Sequence, residues 1–524
     1  MLLSDKLLSN SLMDGITTVA TPYMPPSDWI NIDDCADGNI NLLVADTTMA
    51  TYAFVCTTSL GQYHVDWGDG TSGDFNSGAT AQHTYTVGTG QVCSRGYTTF
   101  KIVISPVSGN LTSFAVTSHS LAMQSQEYHI LSCVVGAPAL TTLANAFYKS
   151  ASPTVFCRVL ENFKTISNMT SLTNAGNMFN SCHGLQSVNM GIMASIIDAT
   201  SMFNACYSLK TVNVSTMISL TTATTMFQSC YSFRDIDISN MISLTTATSM
   251  FNSCYGLQNV NIGMLINVTT ATSMFSSCYN IQSIDMSNMT ALTNTTTMFN
   301  ACYSLQSINI GILSSVTNAT SMFNFCYNLQ SVNISSMTAL INTTTMFNAC
   351  YSLRDVDMGI LSSVTNATSM FNNCRSLQNV NISSMINVID ATSMFNNCYG
   401  LVSLISTDFA QNATSTLCTT MFVNCEQLVD INLSNAKITK LSIRGTSGRL
   451  NKLATLTFNA SSTFSNATSP QLDLGYTTLT AAQLDTIFTL LPTVTSKTVD
   501  ITGSTGAATC TRTIATGKGW TVTG

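Results

Sequence analysis

The central half of the chain repeats one pattern of apolar and polar positions every 24 residues. In the unit that begins at Leu209, apolar residues recur at steps of three, and the step shortens to two between Val212 and Val214. A step of two is the alternation of a β-strand, whereas steps of three suit turns and 3₁₀-like arcs that direct one side chain per turn inward. The pattern therefore predicts a short strand followed by arcs that close around an apolar interior.

The dipeptide Met-Phe marks this repeat, since it recurs from Met178 to Met394 in steps of 24 and once more, after 27 residues, at Met421. A fixed period in this range is typical of leucine-rich-repeat solenoids. Such coils must stack, because a single coil cannot bury its two open ends. No proline interrupts the stack between Pro153 and Pro470. With parallel strands about 4.8 Å apart, we expect a solenoid roughly 50 Å long.

A cysteine follows each of these methionines after four residues. Metal sites usually pair their cysteines and add histidine, whereas these cysteines are single, so we expect no metal ion. Disulfides are also disfavoured, because stacked residues hold their Cβ atoms about 4.8 Å apart, beyond the usual range. We interpret the column as buried thiols that act as small hydrophobes. Its members are Cys182, Cys206, Cys230, Cys254, Cys278, Cys302, Cys326, Cys350, Cys374, Cys398 and Cys425.

A second column of equivalent residues lies on the predicted strands and carries Asn or Asp in each coil. One interpretation is a side-chain amide ladder that stabilises the stacked strands. The alternative is a face that binds a glycan or a protein partner. The column comprises Asn189, Asn213, Asp237, Asn261, Asp285, Asn309, Asn333, Asp357 and Asn381.

A third column is aromatic, and stacked rings at this spacing favour a structural role. A platform for sugars and a contact between subunits are the alternatives. The column comprises Tyr207, Tyr231, Tyr255, Tyr279, Tyr303, Tyr327, Tyr351 and Tyr399. Hydroxyl pairs such as Thr248-Ser249 precede every Met-Phe from Met202 onwards and are similar to the threonine arrays of ice-binding solenoids. Their adjacent spacing, instead of Thr-x-Thr, disfavours that role.

The pattern Met-Phe-x-x-Cys-x-x-Leu-x-x-Val-Asn-Ile-Ser resembles the BspA-like leucine-rich-repeat surface proteins. It stands at 346–359 with Asp357 at the Asn position and Gly359 at the Ser position. The resemblance covers about half of the chain. It implies a binding protein, typically an adhesin, and no catalysis. The chain departs from the family pattern at Met217, Met241 and Met289, where Trp is common.

Residues 65–71, Val-Asp-Trp-Gly-Asp-Gly-Thr, contain a hairpin turn signal directly after an apolar and aromatic strand. We expect Trp67 to fill the core between two sheets, and Asp69 and Gly70 to form the turn. Together with His83-Thr84-Tyr85 and a strand candidate at 97–104, this segment resembles a PKD-type immunoglobulin-like domain. The resemblance implies a spacer or a module that contacts glycans.

The chain as a whole is predicted to be mainly β. We expect an arm or linker at 1–45, a PKD-like β-sandwich at 46–137, and a cap at the start of the solenoid at 138–177. The leucine-rich-repeat solenoid itself is expected at 178–433, and an α/β leucine-rich-repeat-like cap at 434–524. In that last cap, Thr480 is predicted to begin a helix that ends before Pro492.

Charge and motifs argue against catalysis. Charged residues make up only 8% of the chain and its net charge is −7, so no basic surface for nucleic acid is expected. No apolar run reaches the length of a membrane span. His183 adjoins Cys182, but the pattern directs that thiol inward, which disfavours a nucleophile pair. Phosphate-loop, HExxH and GxSxG motifs are absent from the sequence. We expect no catalytic residue and no cofactor.

Two hypotheses for function follow. Asp5 and Lys6 interrupt the first apolar run, so no secretory leader is expected, and residues 506–522 resemble the tails of repeat proteins from bacteriophage. The first hypothesis is a virion surface protein, such as a capsid decoration, a fibre or a tail-associated adhesin. Its partners would be further copies of itself, other virion proteins, or a host glycan or protein. The alternative is an extracellular bacterial cell-surface adhesin that is exported without a leader.

Overall fold

The structure is a computed structural model that describes residues 25–46, 51–86, 88–118, 125–150, 154–449 and 451–524. Most of the predicted arm, residues 1–24, lies outside this range. The described residues form thirty strands, two helices and many turns, which confirms a mainly β chain built from stacked coils.

The N-terminal strands form two antiparallel sheets with a shared aromatic core. One sheet has the order β10-β1-β7-β3-β4 with β6 paired to β7, and the other has the order β5-β2-β8. Between them the rings of Phe54 and Trp67 lie 5.4 Å apart, and Tyr85 stacks on Phe100 at 4.1 Å. The strands are β1 (Ile40–Asp46), β2 (Thr51–Thr58), β3 (Gln62–Asp66), β4 (Ser72–Asn76), β5 (Thr80–Thr84), β6 (Gln91–Val92), β7 (Thr98–Pro106), β8 (Leu111–Val116), β9 (Ser125–Glu127) and β10 (Ile130–Val135).

The described part of the predicted arm belongs to this fold. Strand β1 pairs with β7 along its whole length, although the sequence analysis placed residues up to 45 in an arm or linker. Ahead of it, Trp29, Ile32 and Cys35 are buried against Leu43 on the second face of the same sheet. The expectation of a linker rested on the prolines and missed these apolar residues, which occur every three positions.

The first sheet continues into the solenoid without a break. β11 (Tyr148–Lys149), β12 (Thr154–Phe156) and β13 (Asn162–Thr165) follow β10, and β13 pairs in parallel with β10. On its other side β13 pairs with the first solenoid strand, β14 (Ser187–Asn189). The described residues of the segment expected to be a separate cap, 138–150 and 154–177, therefore wind as coils of the same stack. Phe147 already stacks on Phe179 at 5.5 Å.

Each coil of the solenoid contributes one short strand and one isolated β-bridge. Parallel bridges join equivalent residues of successive coils, such as Thr222 to Thr246 and Thr246 to Thr270. The further strands are β15 (Thr211–Val212), β16 (Asp235–Asp237), β17 (Asn259–Asn261), β18 (Ser283–Asp285), β19 (Ser307–Asn309), β20 (Ser331–Asn333), β21 (Asp355–Asp357), β22 (Asn379–Asn381) and β23 (Ser403–Ile405).

The interior of each coil is closed by the apolar positions of the repeat. In the coil that starts at Met298, the side chains of Phe299, Cys302, Leu305 and Leu313 are fully buried. The phenylalanines form an unbroken column from Phe147 to Phe422, in which neighbouring rings are nearly parallel and 5.3–5.7 Å apart. The core is therefore continuous along the stack.

Turns shape the segment around Met-Phe, as expected, and hydrogen bonds between residues three apart close them, such as Met274 N to Ala271 O at 3.1 Å. The sequence did not predict that some of the turn residues are left-handed. Two residues of each coil have positive φ, as Ser273 (54°) and Ser277 (60°) do in the coil of Met274. This conformation costs roughly 1–2 kcal/mol for a residue with a Cβ atom. Both residues donate their backbone N–H to the next coil, Ser273 to Thr296 O at 3.0 Å and Ser277 to Asn300 O at 2.7 Å. These bonds offset the cost of the left-handed conformation.

Junctions between coils are of two alternating kinds. The backbone N–H of Met286 bonds to Asn309 O in the next coil at 2.9 Å, and strands pair across this kind of junction. At the following junction a side chain makes the link, since Ser336 Oγ donates to Gly311 O at 2.8 Å. Gly311 has φ of 67°, and a Cβ atom there would lie 2.4 Å from Ser287 Cα.

Gly263 and Gly359 repeat this arrangement at intervals of 48 residues on either side of Gly311. A Cβ atom on Gly263 would lie 2.3 Å from Ser239 Cβ, and one on Gly359 would lie 2.5 Å from Ser335 Cα. Over this part of the solenoid, the structural unit is thus a pair of coils.

The C-terminal region closes the stack with a parallel sheet and a helix. The sheet has the order β24-β26-β28-β29-β30, and β25 pairs separately with β27. Thr480 caps the helix α1, with its side chain and that of Gln483 bonded to each other's backbone N–H, as the sequence predicts for its start. The elements are β24 (Thr416–Cys418), β25 (Asp430–Leu433), β26 (Ile438–Ser442), β27 (Thr455–Phe458), β28 (Leu472–Asp473), α1 (Ala481–Leu490), β29 (Lys497–Asp500), α2 (Thr513–Thr516) and β30 (Trp520–Thr523).

Candidate functional site

The candidate site is a surface of columns. Equivalent residues of paired coils are in register, as Asp237 is with Asn261, so each position of the repeat forms a line along the stack. Among the described residues, no three His, Cys, Asp or Glu side chains come together as a group that could hold a metal ion. No helix in the described ranges is long and apolar enough to cross a membrane.

The Asn/Asp column lies exposed at the ends of the solenoid strands. Most of its side chains fold back onto their own coil, where they accept a backbone N–H two residues on. Asn333 Oδ1 accepts from Ser335 N at 2.8 Å, and Asp285 Oδ1 accepts from Ser287 N at 3.0 Å. These turns fix the direction of the side chains and leave further polar atoms towards solvent.

Hydrogen bonds also set the charge of this column. The pKa of Asp237 is lowered, first by hydrogen bonds from Ser239 and to a smaller extent by one from Asn261 of the next coil. The pKa of Asp285 is lowered in the same way by Ser287. Both carboxylates are therefore ionised at neutral pH.

A side-chain amide ladder also runs along a second column of asparagines. Asn324 Nδ2 donates to Asn300 Oδ1 at 3.0 Å, and Asn348 Nδ2 donates to Asn324 Oδ1 at 2.8 Å. These residues directly follow the Phe of Met-Phe. Their recurrence at 300, 324 and 348 is visible in the sequence, but strand alternation drew attention to the other Asn positions instead.

Two exposed columns share the strand face, because the first and third residues of each strand point outward. Ser283 and Asp285 are both exposed in β18, as are Ser331 and Asn333 in β20. The columns are about 6.6 Å apart, and residues within a column about 4.8 Å apart. We call this two-column surface the polar grid.

Charge within the repeats is concentrated at this face. Eight of the eleven charged residues between 178 and 401 lie in the polar grid or directly before it. They are Lys210, Arg234, Asp235, Asp237, Asp285, Arg354, Asp355 and Asp357.

The tyrosine column is a continuous stack of half-buried rings. From Tyr207 to Tyr351, neighbouring rings are within 10° of parallel and their centroids are 4.6–4.9 Å apart. His183 extends the stack beyond Tyr207 at 4.3 Å, and the guanidinium of Arg375 lies 4.4 Å from the centroid of Tyr351. Neither residue was predicted to belong to this column, although each follows its cysteine as the tyrosines do.

Hydroxyl groups around Met-Phe are bonded within the scaffold. Thr245 Oγ1 donates to Thr221 O at 3.1 Å, and Ser273 Oγ lies 2.7 Å from Thr297 Oγ1. Hydroxyls in such bonds have less capacity to order external water.

The cysteine column lies inside the stack, where all eleven side chains are buried. Most of these thiols donate to the backbone oxygen of the Phe 27 residues earlier, as Cys302 Sγ does to Phe275 O at 3.1 Å. Burial raises the pKa of Cys302 to about 12 and that of Cys182 well above its usual value. No cysteine of the chain forms a disulfide, since all eighteen are free thiols.

In the N-terminal sheets, the predicted turn residues lie around one aromatic cluster. Trp67 is buried and its backbone oxygen accepts from Tyr85 Oη at 2.6 Å. Asp69 Oδ1 accepts from Thr71 N at 3.0 Å, and Asp69 Oδ2 lies 2.7 Å from His83 Nε2. Gly70 has φ of 90° in open space, whereas a Cβ atom on Gly68 would lie 2.3 Å from Lys101 O. The turn thus joins the two sheets through Asp69 and His83.

Comparison with known families identifies the repeat. The family model for the BspA type leucine-rich repeat region matches six copies, at residues 149–272, 221–354, 317–444 and 362–468. Together these matches cover more than half of the chain. The chain belongs to the BspA-type leucine-rich-repeat family. Its repeat is therefore the leucine-rich repeat that the 24-residue spacing predicted, and the coils described above are BspA-type coils.

Two solved structures that match this BspA-type chain are distant likenesses. A plant peptide hormone receptor, RGFR1, in complex with RGF2 is 10% identical, with 74% of this chain and 66% of that chain covered and a TM-score of 0.24. A TLR13–ssRNA13 complex is 11% identical, with 68% and 69% covered and a TM-score of 0.19. No curated protein sequence matches the chain.

Proposed function

We propose that this chain is a non-catalytic adhesin that binds a host glycan or protein through the polar grid. The observation that carries the proposal is the exposed Asn/Asp column, whose side chains are held in one direction by turns such as that of Asn333 with Ser335. Groups fixed before binding lose little entropy when a ligand arrives. A ligand with its own regular spacing could engage several coils at once.

The solenoid makes this surface rigid. Each coil is bonded to the next around Met-Phe, as Phe299 N is to Met322 O at 2.9 Å, and the Phe column fills the interior. The N-terminal sheets, for which we propose a PKD-type immunoglobulin-like domain, serve as a spacer that shares a sheet with the first coils.

We place this adhesin on a virion, as a decoration, fibre or tail-associated protein. The resemblance of residues 506–522 to the tails of bacteriophage repeat proteins supports this location. Mass spectrometry of purified particles is the direct test: the chain is expected among the virion proteins, and its absence from particles made in cells that express it would overturn the location.

The binding role is tested with a glycan array and with intact host cells. The variant Asn309→Ala/Asn333→Ala removes two neighbouring members of the exposed column and should reduce binding at least tenfold. The matched control Gln306→Ala/Gln330→Ala changes two exposed residues of the same coils that lie outside the grid, and it should bind as the wild type does. Equal binding by both variants, or no binding by the wild type to either surface, would overturn the role.

A bacterial cell-surface location is the second candidate, favoured by the BspA-type repeat itself. Labelling of intact cells with a membrane-impermeant amine reagent separates the two locations. A labelled chain on uninfected cells would support the cell surface, and would contradict the virion.

A further inference from the structure

The side of the solenoid next to the polar grid carries no charge. We call this side the apolar arc and define it as the eight residues that follow each member of the Asn/Asp column, as 310–317 follow Asn309. The arc recurs in nine coils, from 190–197 to 382–389, and none of its residues is Asp, Glu, Lys, Arg or His. The neighbouring grid, together with the residues directly before it, holds most of the charge in these coils. The contrast in charge therefore lies between two sides of one scaffold.

Large apolar side chains are exposed along this arc. Three positions of each arc are buried in the core, as Ile310, Leu313 and Val316 are, and the other positions point outward. Ile312 and Ile360 are each 64% exposed. The exposed large apolar residues of the arc are Ile192, Ile197, Ile218, Ile242, Met264, Ile266, Ile312, Ile341, Ile360 and Ile389.

The remaining outward positions of the arc are neutral and small or polar, such as Ser314 and Thr317. The arc spans nine coils, and with a spacing of about 4.8 Å it is roughly 43 Å long. Ten half-exposed side chains present on the order of 500 Å² of apolar area, which is comparable to the largest apolar patch of a typical monomer, and such patches are often functional.

We propose that the apolar arc is an interface with a second copy of this chain. A neutral face has no charge with which to select a charged partner, whereas it is complementary to itself. Two copies also share the same repeat spacing, so that protruding isoleucines can pack between those of the partner along the whole arc. With its neutral polar residues, the arc approaches the roughly 800 Å² that each partner of a stable dimer contributes.

This dimer extends the proposed function and rests on it, because it requires that the polar grid stays free to bind a ligand. The grid and the arc are separate columns of the same coils, so a dimer formed through the arcs leaves the grids of both copies exposed. Binding of ligand by a dimer would then be bivalent.

Sedimentation equilibrium of the purified full chain tests the proposal. The wild type should have twice the chain mass of 56.1 kDa at micromolar concentration. Because the interface lacks charge, its dissociation constant should change less than threefold between 0.1 and 1 M NaCl. The variant Ile312→Lys/Ile360→Lys introduces two charges into the arc and should weaken the dimer at least 100-fold. Both residues lie outside the core, and circular dichroism should show an unchanged fold.

The control Ser307→Lys/Ser331→Lys places the same charges on the polar grid of the same region. It should leave the dimer intact. A wild-type mass of one chain at about 100 μM, or a dimer that survives the arc charges, would overturn the proposal. Flotation of a monomeric wild type with phosphatidylcholine vesicles would overturn it as well, and would identify lipid as the occupant of the arc. A wild-type chain that forms the dimer but binds no glycan and no host cell would instead count against the adhesin role alone.

Discussion

The phenylalanine and tyrosine columns have the same 24-residue spacing and the same parallel stacking, yet they differ in exposure. Phe299 lies 5.5 Å from Phe275 and is fully buried, whereas Tyr303 lies 4.6 Å from Tyr279 and is half-buried. The buried column holds Phe in every coil from Phe147 to Phe422. The half-buried column changes to histidine at its start and to arginine at 375. The 24-residue period alone therefore identifies a column. The burial of its side chains determines whether the same residue type recurs in every coil.

Alkaline pH should have the largest effect, because it acts on every buried thiol at once. Burial raises the pKa of the repeat cysteines above the value of 9.0 for an exposed thiol, to about 12 for Cys254 and Cys302. The unfolded chain then loses protons that the folded chain keeps, so stability falls as pH rises above 9. Eleven such thiols destabilise the fold by on the order of 10 kcal/mol at pH 10. Circular dichroism should show cooperative loss of structure between pH 9 and 11.

The variant Cys254→Ala/Cys278→Ala/Cys302→Ala provides the control for this titration. It removes three of the titrating groups. The slope of its free energy of unfolding against pH should therefore be smaller than that of the wild type, by an amount that corresponds to about three protons. An unchanged fold at pH 11, or an equal slope in the variant, would mean that the thiols are not held in a dry interior.

The next largest effect is expected in the buried aromatic column. Phe299→Ala removes a ring that is stacked between two others, and should lower the free energy of unfolding by about 3–5 kcal/mol. Urea denaturation followed by circular dichroism measures this loss. The volume-conserving Phe299→Leu should lose less than half as much, and equal losses would contradict the tight packing of this column.

The sequence predicted the coil, its buried positions and the start of α1, because each depends on local apolar spacing and on capping. It did not reveal the left-handed residues Ser273 and Ser277, since serine gives no conformational signal of this kind. Nor did it place residues 29–45, whose packing depends on a sheet formed by strands distant in the chain. Pairing between distant strands is decided by the whole fold.

Substitution of Gly311 should reduce stability by an amount between those expected for the phenylalanine and tyrosine columns. Gly311→Ala should lower the free energy of unfolding by about 2–4 kcal/mol, because it combines a left-handed conformation with a contact 2.4 Å from Ser287 Cα. The control Ser335→Ala, at the equivalent position of the next coil, should change it by less than about 0.5 kcal/mol. Comparable effects of the two would contradict the two-coil unit.

The two-coil unit could have been predicted from the sequence. Glycines at 263, 311 and 359 recur every 48 residues, but the 24-residue pattern of apolar positions hid the longer period. Only part of the candidate functional surface could be predicted from the sequence. The 24-residue spacing predicted the exposed Asn/Asp column, whereas the charge-free arc could be recognised only after the exposure of its side chains was known.

The smallest effect on stability is expected in the half-buried tyrosine column. Tyr303→Ala removes one ring from the half-buried stack, and should cost about 1–2 kcal/mol in the same urea experiment. Tyr303→Phe keeps the ring and should be nearly neutral. A loss as large as that of Phe299→Ala would remove the distinction between the two columns.

Thiol labelling of the folded chain tests the closed interior most directly. Seventeen of the eighteen cysteines are buried, and Cys510 is half-exposed. At pH 8, an aromatic disulfide reagent should modify Cys510 alone within minutes, and all eighteen thiols after denaturation in urea, with peptide mapping to assign them. Rapid labelling of Cys206, Cys230 or Cys254 in the folded chain would contradict the stacked and dry interior.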